Sequence, residues 1–450
     1  MTQPTIDVVN LNPDQREILM QRLLQTRQQT LSAVSAIERP LAAFVNGHAD
    51  APLPRPAHQP SHVRFEPQSL YTLIKTGKIP PVAAAALGYW PDELLSTHPL
   101  SRAGVIEKQF HNRATVASIV ETGWGRIAII ILPRLHSELY ADPTLTAEIR
   151  QALALAGEIG AQSVSLTGLL PSATDYGHKI AHSLPNRTDL PSVTTGHAMT
   201  AASVVLNIGK ISEEARRPLA KERVAFLGLG SIGLTSLRLM LQALPHPQTL
   251  LLCDLFHKYH DLQTLRAELV QEYGFRGDLQ IVPVHQDLPP VVYEATLIVG
   301  ATNVPDVLAV RQLKPGTLLV DDSGPHCFNA QQAIARFTQQ ADILFTEGGA
   351  VQLPTPVQQI YYAPPHLETI FADGEIDHPQ LIMGCVLSSL LSTPLTALPP
   401  TVGPIDPEVC LAYYQTVKQM GIQAAPLHCA AYRLAPAAIQ RFRQQFSTLV

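Results

Sequence analysis

The sequence predicts an α/β fold built on a parallel sheet, with a smaller α/β domain before it and a helical segment after it. Three observations point to this. Between residues 223 and 350, strand-like and helix-like segments alternate at the spacing of strand–helix–strand units. A glycine-rich turn, Gly228-Leu229-Gly230-Ser231-Ile232-Gly233, stands between the first of those strands and the first helix. The next strand closes on an acid, Asp254, about twenty residues further on. Together they predict a doubly wound, Rossmann-type sheet.

Each element has its own signal. Val224–Leu227, Thr249–Cys253, Leu279–Val282, Leu297–Gly300, Leu318–Val320 and Ile343–Phe345 are short aliphatic or β-branched runs and read as strands. Ile232–Leu244 and Leu262–Tyr273 carry helical periodicity between them. Upstream, Arg126–Leu132 reads as a buried strand closed by Pro133, Leu145–Ile159 as a helix ending at Gly160, and Ser163–Leu166 as a strand. Thr194–Thr200 reads as a turn feeding a helix over Ala201–Ile208. Downstream, helices are expected at about 378–392, 407–421 and 435–447. Near the start, Pro13 and the apolar Ile18, Leu19, Met20, Leu23 and Leu24 mark a helix, and residues 50–60 form a Pro-rich linker. The expected division is therefore 1–60 as a helix and linker, 61–200 as an α/β substrate domain, 201–350 as the dinucleotide-binding domain, and 351–450 as a helical region.

Bulk composition narrows the function. With 450 residues, 46% of them hydrophobic and 15% charged, the chain can bury a sizeable core. A net charge of −5 without clustered Lys and Arg argues against nucleic-acid binding. The five cysteines, Cys253, Cys327, Cys385, Cys410 and Cys429, form no CxxC pair, so no zinc site is expected. A sparse, odd set fits a reducing compartment. The first residues lack a basic flank and an apolar run, and the longest aliphatic run, Ile127–Leu132, is strand-sized, so a cytoplasmic protein with no integral membrane segment is expected.

The glycine turn has a physical logic. Gly228 permits the tight turn, Gly230 lets a pyrophosphate approach the backbone, and Gly233 lets the helix pack close to the strand. Ser231 and Ile232 open a helix whose free N–H groups hold phosphates. Asp254 is placed to accept from ribose hydroxyls and to repel a 2′-phosphate, which favours NADH. Ala301 and Thr302 follow another strand, where small residues let a cofactor pass.

Several motifs in order resemble the cyanobacterial-type long-chain acyl-acyl-carrier-protein reductases, which form fatty aldehydes. The resemblance runs over about residues 115–395. It rests on Thr122-Gly123 with Gly125-Arg126, Thr194-Thr195-Gly196 with Thr200, the glycine turn, Val320-Asp321 with Pro325, Glu347-Gly348-Gly349-Ala350-Val351, and Ile382-Met383-Gly384-Cys385-Val386-Leu387. That family has one more residue between its first two glycines, and its second strand ends near an arginine that suits NADPH, where this chain has Asp254 and Leu255. The resemblance thus implies NADPH where the residues imply NADH.

It also implies chemistry. Cys385 is the expected nucleophile, forming an acyl-enzyme from a carrier-bound or coenzyme A thioester for reduction to an aldehyde. His197 and His326 are candidates for proton transfer or acyl orientation, and Thr195 and Gly196 are expected near the nicotinamide. Residues 10–19 resemble helical linkers of nonribosomal peptide and polyketide assembly-line proteins, which implies an acyl or peptidyl carrier protein as partner. Two alternatives stand beside this one. The first is a Rossmann dehydrogenase of a small hydroxy, keto or amino acid with Cys385 in the core. The second is a non-catalytic nucleotide-binding partner in a biosynthetic complex.

Overall fold

The computed structural model describes residues 63–65, 69–92, 102–108, 110–140, 143–184, 190–362 and 378–448. The expected N-terminal helix and the Pro-rich linker lie outside the described residues. Six strands open the fold: β1 (Val63–Phe65), β2 (Ala84–Trp90), β3 (Thr115–Thr122), β4 (Gly125–Leu135), β5 (Ser163–Leu166) and β6 (Ser192–Thr194). Among them run helices α1 (Leu70–Lys75), α2 (Leu145–Glu158), α3 (Leu170–Ala173) and α4 (His178–Ser183). α2 turns Leu145, Ile149, Ala152, Leu153 and Ala156 inward, a helical stripe that packs on the core beside this sheet. β4 continues past Pro133 to Leu135, because its pairing with β2 shifts register between Gly88 and Trp90 and frees the proline from donating.

The second sheet is fully parallel. Its strands are β7 (Arg223–Leu227), β8 (Thr249–Leu255), β9 (Asp278–Val284), β10 (Leu297–Gly300), β11 (Thr317–Asp321) and β12 (Ile343–Glu347), in the order β12-β11-β10-β7-β8-β9. Helix α5 (His197–Ala215) precedes it, while α6 (Ser231–Ala243), α7 (Tyr259–Gln271) and α8 (Ala330–Gln340) connect its strands. This is the doubly wound Rossmann-type α/β fold expected from the sequence. Strand order reverses between β7 and β10, so a crevice opens at their carboxyl ends. Register places Leu227, Cys253, Gly300, Asp321 and Glu347 side by side along that edge.

Two expected boundaries are corrected. A cut between residues 200 and 201 falls inside α5, whose first turn, His197–Thr200, is as buried as its middle. Gly196, at φ +74°, turns the chain into that helix four residues before the expected start. Nor is the tail simply helical. It contains β13 (Ala350–Gln352), β14 (Gln358–Tyr361), β15 (Leu381–Met383), β16 (Gln423–Ala424), β17 (His428–Cys429) and β18 (Tyr432–Arg433), besides α9 (Gly384–Leu391), α10 (Pro407–Gln419) and α11 (Pro436–Phe446). β14 returns to the first sheet between β1 and β3, completing the order β1-β14-β3-β4-β2-β5-β6. Leu381–Met383 is strand rather than helix because it pairs with β13. α9 and α10 both pack on α5, so strands, α5 and tail share one core. Among the described residues no helix is long and apolar enough to cross a membrane.

Candidate active site

The glycine turn is shaped by contacts that only glycine tolerates. Gly228 has φ +86°, and a Cβ on it would lie 2.5 Å from the Ala301 carbonyl oxygen. A Cβ on Gly233 would lie 2.0 Å from the Gly228 carbonyl oxygen. A Cβ on Gly230 would meet nothing within 4 Å, which leaves room against the backbone for a phosphate. Gly230 caps α6, whose first turn carries no acid to repel an anion. Asp254 is buried. Its carboxylate accepts from the Leu229 N–H at 2.9 Å, the Leu255 N–H at 2.7 Å and Lys258 Nζ at 3.0 Å. The glycine turn, the acid and a half-exposed cation are thus one unit.

A cleft of about 520 Å³ runs from this unit to the opposite sheet. Gly228, Gly230, Ser231, Ile232, Asp254, Ala301, Thr302, Thr195, His197, His326 and Cys385 all line it. Gly233 and Gly196 stand behind the wall. Gly196 acts by packing: a Cβ there would meet the Cys385 Cα at 3.2 Å and its carbonyl oxygen at 3.3 Å. Gly384 lets α9 approach α5 in the same way, since its Cβ would meet Ser203 Oγ at 2.4 Å. Small residues on both helices therefore set the height of Cys385 in the cleft. The other four cysteines are buried, and Cys385 alone is partly exposed.

The thiol is not activated at rest. Burial pushes Cys385 up to about 11, and the nearby Asp322 adds to the rise. Backbone N–H groups of Gly168, Val386 and Cys385 itself pull the other way by favouring the thiolate. Asp322 also lines the cleft. Burial and the charges of Asp321 and Glu347 lift its carboxyl well above the usual range, against the opposing effect of His326.

The two histidines differ. His197 opens α5, with Nδ1 2.8 Å from Ser231 Oγ and its ring edge-on to Tyr176. Burial lowers it to about 4, so it is neutral near pH 7 and links α5 to the glycine turn. His326 Nδ1 lies 3.0 Å from Asp321 Oδ2, which also accepts from the Cys327 N–H at 3.1 Å. Its Nε2 points to Glu347 Oε1 at 3.5 Å and Cys429 Sγ at 3.7 Å. Burial opposes its charge, but Asp321, Cys429 and Glu347 outweigh that and raise it to about 12. Thr195 is held by its N–H donating to the Thr401 carbonyl at 2.8 Å.

Asp322, Glu347 and Cys429 were not singled out as site residues by sequence. Asp322 and Glu347 carried one usable signal: acids at or just beyond the carboxyl ends of parallel strands stand at the crevice. Cys429 carried none, since a two-residue strand far along the chain delivers it.

No protein family and no curated protein matches this chain. Among solved structures, L-tryptophan dehydrogenase from Nostoc punctiforme is similar at 13% identity, over 81% of this chain and 88% of that one, with a TM-score of 0.33. The ligand-free 5-ketofructose reductase of Gluconobacter sp. strain CHM43 is similar at 12% identity, over 74% and 99%, with a TM-score of 0.32. A shikimate dehydrogenase in complex with NADP+ is similar at 10% identity, over 74% and 95%, with a TM-score of 0.32. Likeness this slight carries no functional argument.

Proposed function

We propose that this chain is a nicotinamide-dependent oxidoreductase that reduces a carrier-bound or coenzyme A thioester to an aldehyde through an acyl group held on Cys385. One observation carries the reading: the only partly exposed cysteine lines the same cleft as the glycine turn. Gly228, Gly230, Ser231 and Ile232 are shaped to hold the pyrophosphate, and Asp254 the adenosine ribose. Bound there, the reduced nicotinamide supplies a hydride. Cys385 Sγ attacks the thioester carbonyl while Asp322, its acidity weakened by burial, takes the thiol proton. The carrier sulfur leaves and takes up that proton, so one thioester replaces another at little cost. Hydride addition to the acyl carbon, with one proton taken up from solvent, leaves a hemithioacetal on Cys385. Its C–S bond breaks to release the aldehyde and restore the thiol. Neutral His197 keeps α5 against the glycine turn while this happens. The partner delivering the thioester is an acyl or peptidyl carrier protein.

Incubation with acyl thioester and no reductant is expected to add the acyl mass to the peptide containing Cys385. Cys385→Ser is expected to lose that label and all aldehyde formation while still binding nucleotide. Undiminished turnover by the variant would refute the reading. A second reading, a dehydrogenase of a small hydroxy, keto or amino acid, is favoured by one feature: the ionisable group acting on Cys385 is an acid, which keeps the thiol protonated. Small acids would then support turnover in the Cys385→Ser protein.

The cofactor preference has its own test. Asp254→Ala removes the charge that opposes a 2′-phosphate and releases Lys258 to face one. A shift of the kcat/KM ratio toward NADPH by roughly 10–100-fold is expected, equivalent to about 1.4–2.8 kcal/mol. An unchanged ratio would mean that Asp254 serves only to hold the glycine turn.

A further inference from the structure

We propose that His326, Glu347 and Cys429 form a binding site for a divalent transition metal, zinc by its donor set, at the floor of the cleft. One nitrogen, one carboxylate and one sulfur supply ligand atoms that all lie within 4.8 Å of one another. Zinc bonds of about 2.0–2.3 Å in a tetrahedron require ligand atoms roughly 3.3–3.6 Å apart. His326 Nε2 lies 3.5 Å from Glu347 Oε1 and 3.7 Å from Cys429 Sγ, close to those edges. The mixed N, O and S set suits zinc better than magnesium or calcium, which take oxygen ligands.

The surrounding groups hold these ligands as a metal site needs. Asp321 accepts from His326 Nδ1 and turns Nε2 toward Glu347 and Cys429, where a metal would take the place of the Nε2 proton, the carboxylate–histidine arrangement found behind many metal ligands. The Ala430 N–H donates to Glu347 Oε1 at 2.5 Å and fixes that carboxylate. A second, independent observation points to the same place. His428 is 1% exposed, and its Nδ1 lies 2.8 Å from the Pro426 carbonyl, which places the proton there. Its Nε2 is buried with no hydrogen-bond partner and faces Glu347 Oε2 at 3.7 Å. A buried ring nitrogen left without a partner is costly, and this one is aimed at the carboxylate that would hold the metal.

Three protein ligands leave a fourth position. His326 and Glu347 line the cleft while Cys429 is buried behind them, so that position opens toward the space shared with Cys385 and the glycine turn. A metal there would take a carbonyl or carboxylate oxygen of a substrate and polarise it. It would also tie the ends of β11 and β12 to the β17–β18 hairpin. The site does not depend on Cys385 carrying an acyl group. The sequence showed no spacing motif because its ligands come from the loop after β11, the end of β12 and the short strand β17.

The test uses the full-length protein stripped with a chelator and titrated with Co2+, then Zn2+. One equivalent of Co2+ is expected to bind and to give a thiolate-to-cobalt charge-transfer band that Zn2+ abolishes. Cys429→Ser should lose the band and weaken binding at least ~100-fold, and Asp321→Asn should weaken it roughly 10–100-fold. Cys385→Ser should keep both band and affinity, which separates this site from the thioester chemistry. If Cys429→Ser does not fold by circular dichroism, the paired His326→Gln and Glu347→Gln variants must each lose the metal instead. Failure of the folded wild type to take up stoichiometric metal, or a band that survives Cys429→Ser, overturns the proposal.

Discussion

Gly233→Ala is expected to lower dinucleotide affinity by at least about 100-fold, equivalent to about 2.8 kcal/mol, and to lower the melting midpoint as well. The new methyl would stand 2.0 Å from the Gly228 carbonyl oxygen and 3.3 Å from the Ala301 side chain. The first contact is with backbone, so α6 must move away from β7 or the turn must open. Either movement displaces the N–H groups that receive the pyrophosphate. Alanine's better helix propensity returns only about 1 kcal/mol. Gly230→Ala provides the contrast. Its methyl meets no atom within 4 Å, so the fold should be unaffected, yet it fills the space a phosphate needs. Calorimetric titration with NADH and thermal melting of both variants separate the two effects. Wild-type affinity in Gly233→Ala would show that the nucleotide does not use this turn.

Glu222→Ala is expected to destabilise the fold by about 3–5 kcal/mol. Arg217 and Glu222 form an ion pair with side chains only 8% and 2% exposed, and Arg217 Nε donates to Glu222 Oε1 at 2.9 Å. The same guanidinium donates to the Gly316 carbonyl, just before β11. Glu222 also accepts through its own carbonyl from the Gln248 N–H at 3.0 Å. The pair therefore clamps the passage from α5 into β7 against its neighbours. Removing the carboxylate leaves a buried cation with one neutral partner, whereas Arg217→Met with Glu222→Leu removes both charges and should recover most of the loss. Urea unfolding of the single and double variants measures this. A single variant within 1 kcal/mol of wild type, roughly the worth of an exposed pair, would show the pair to be incidental.

How much of this was legible depends on how local the cause is. The parallel sheet was readable because its strands are short aliphatic runs whose neighbours in sequence are also neighbours in space. β5 and β10 run over the residues expected, Ser163–Leu166 and Leu297–Gly300. β2 and β3 were missed. Ala84-Ala85-Ala86 has no β-branched residue, and it is strand because β4 and β5 flank it on both sides. β14 was invisible for the same reason, since its partners precede it by more than 200 residues.

The site divides in the same way. By itself the sequence determined the glycine turn, its helix and Asp254, because a tight turn, a helix N-terminus and a strand end are built from adjacent residues. It also supplied Cys385 as a candidate, through resemblance. Tertiary structure alone decided that Cys385 shares a cleft with that turn, that Asp322 rather than a cation is the ionisable group acting on its thiol, and that His326 faces Glu347 and Cys429. Parallel register carries Asp321 and Glu347 to one edge, and a short hairpin carries Cys429 to meet them. Those placements follow from packing among segments far apart in the chain. The opening alternation of strand and helix thus foretells the crevice, while the chemistry at its floor depends on which side chains the fold brings there.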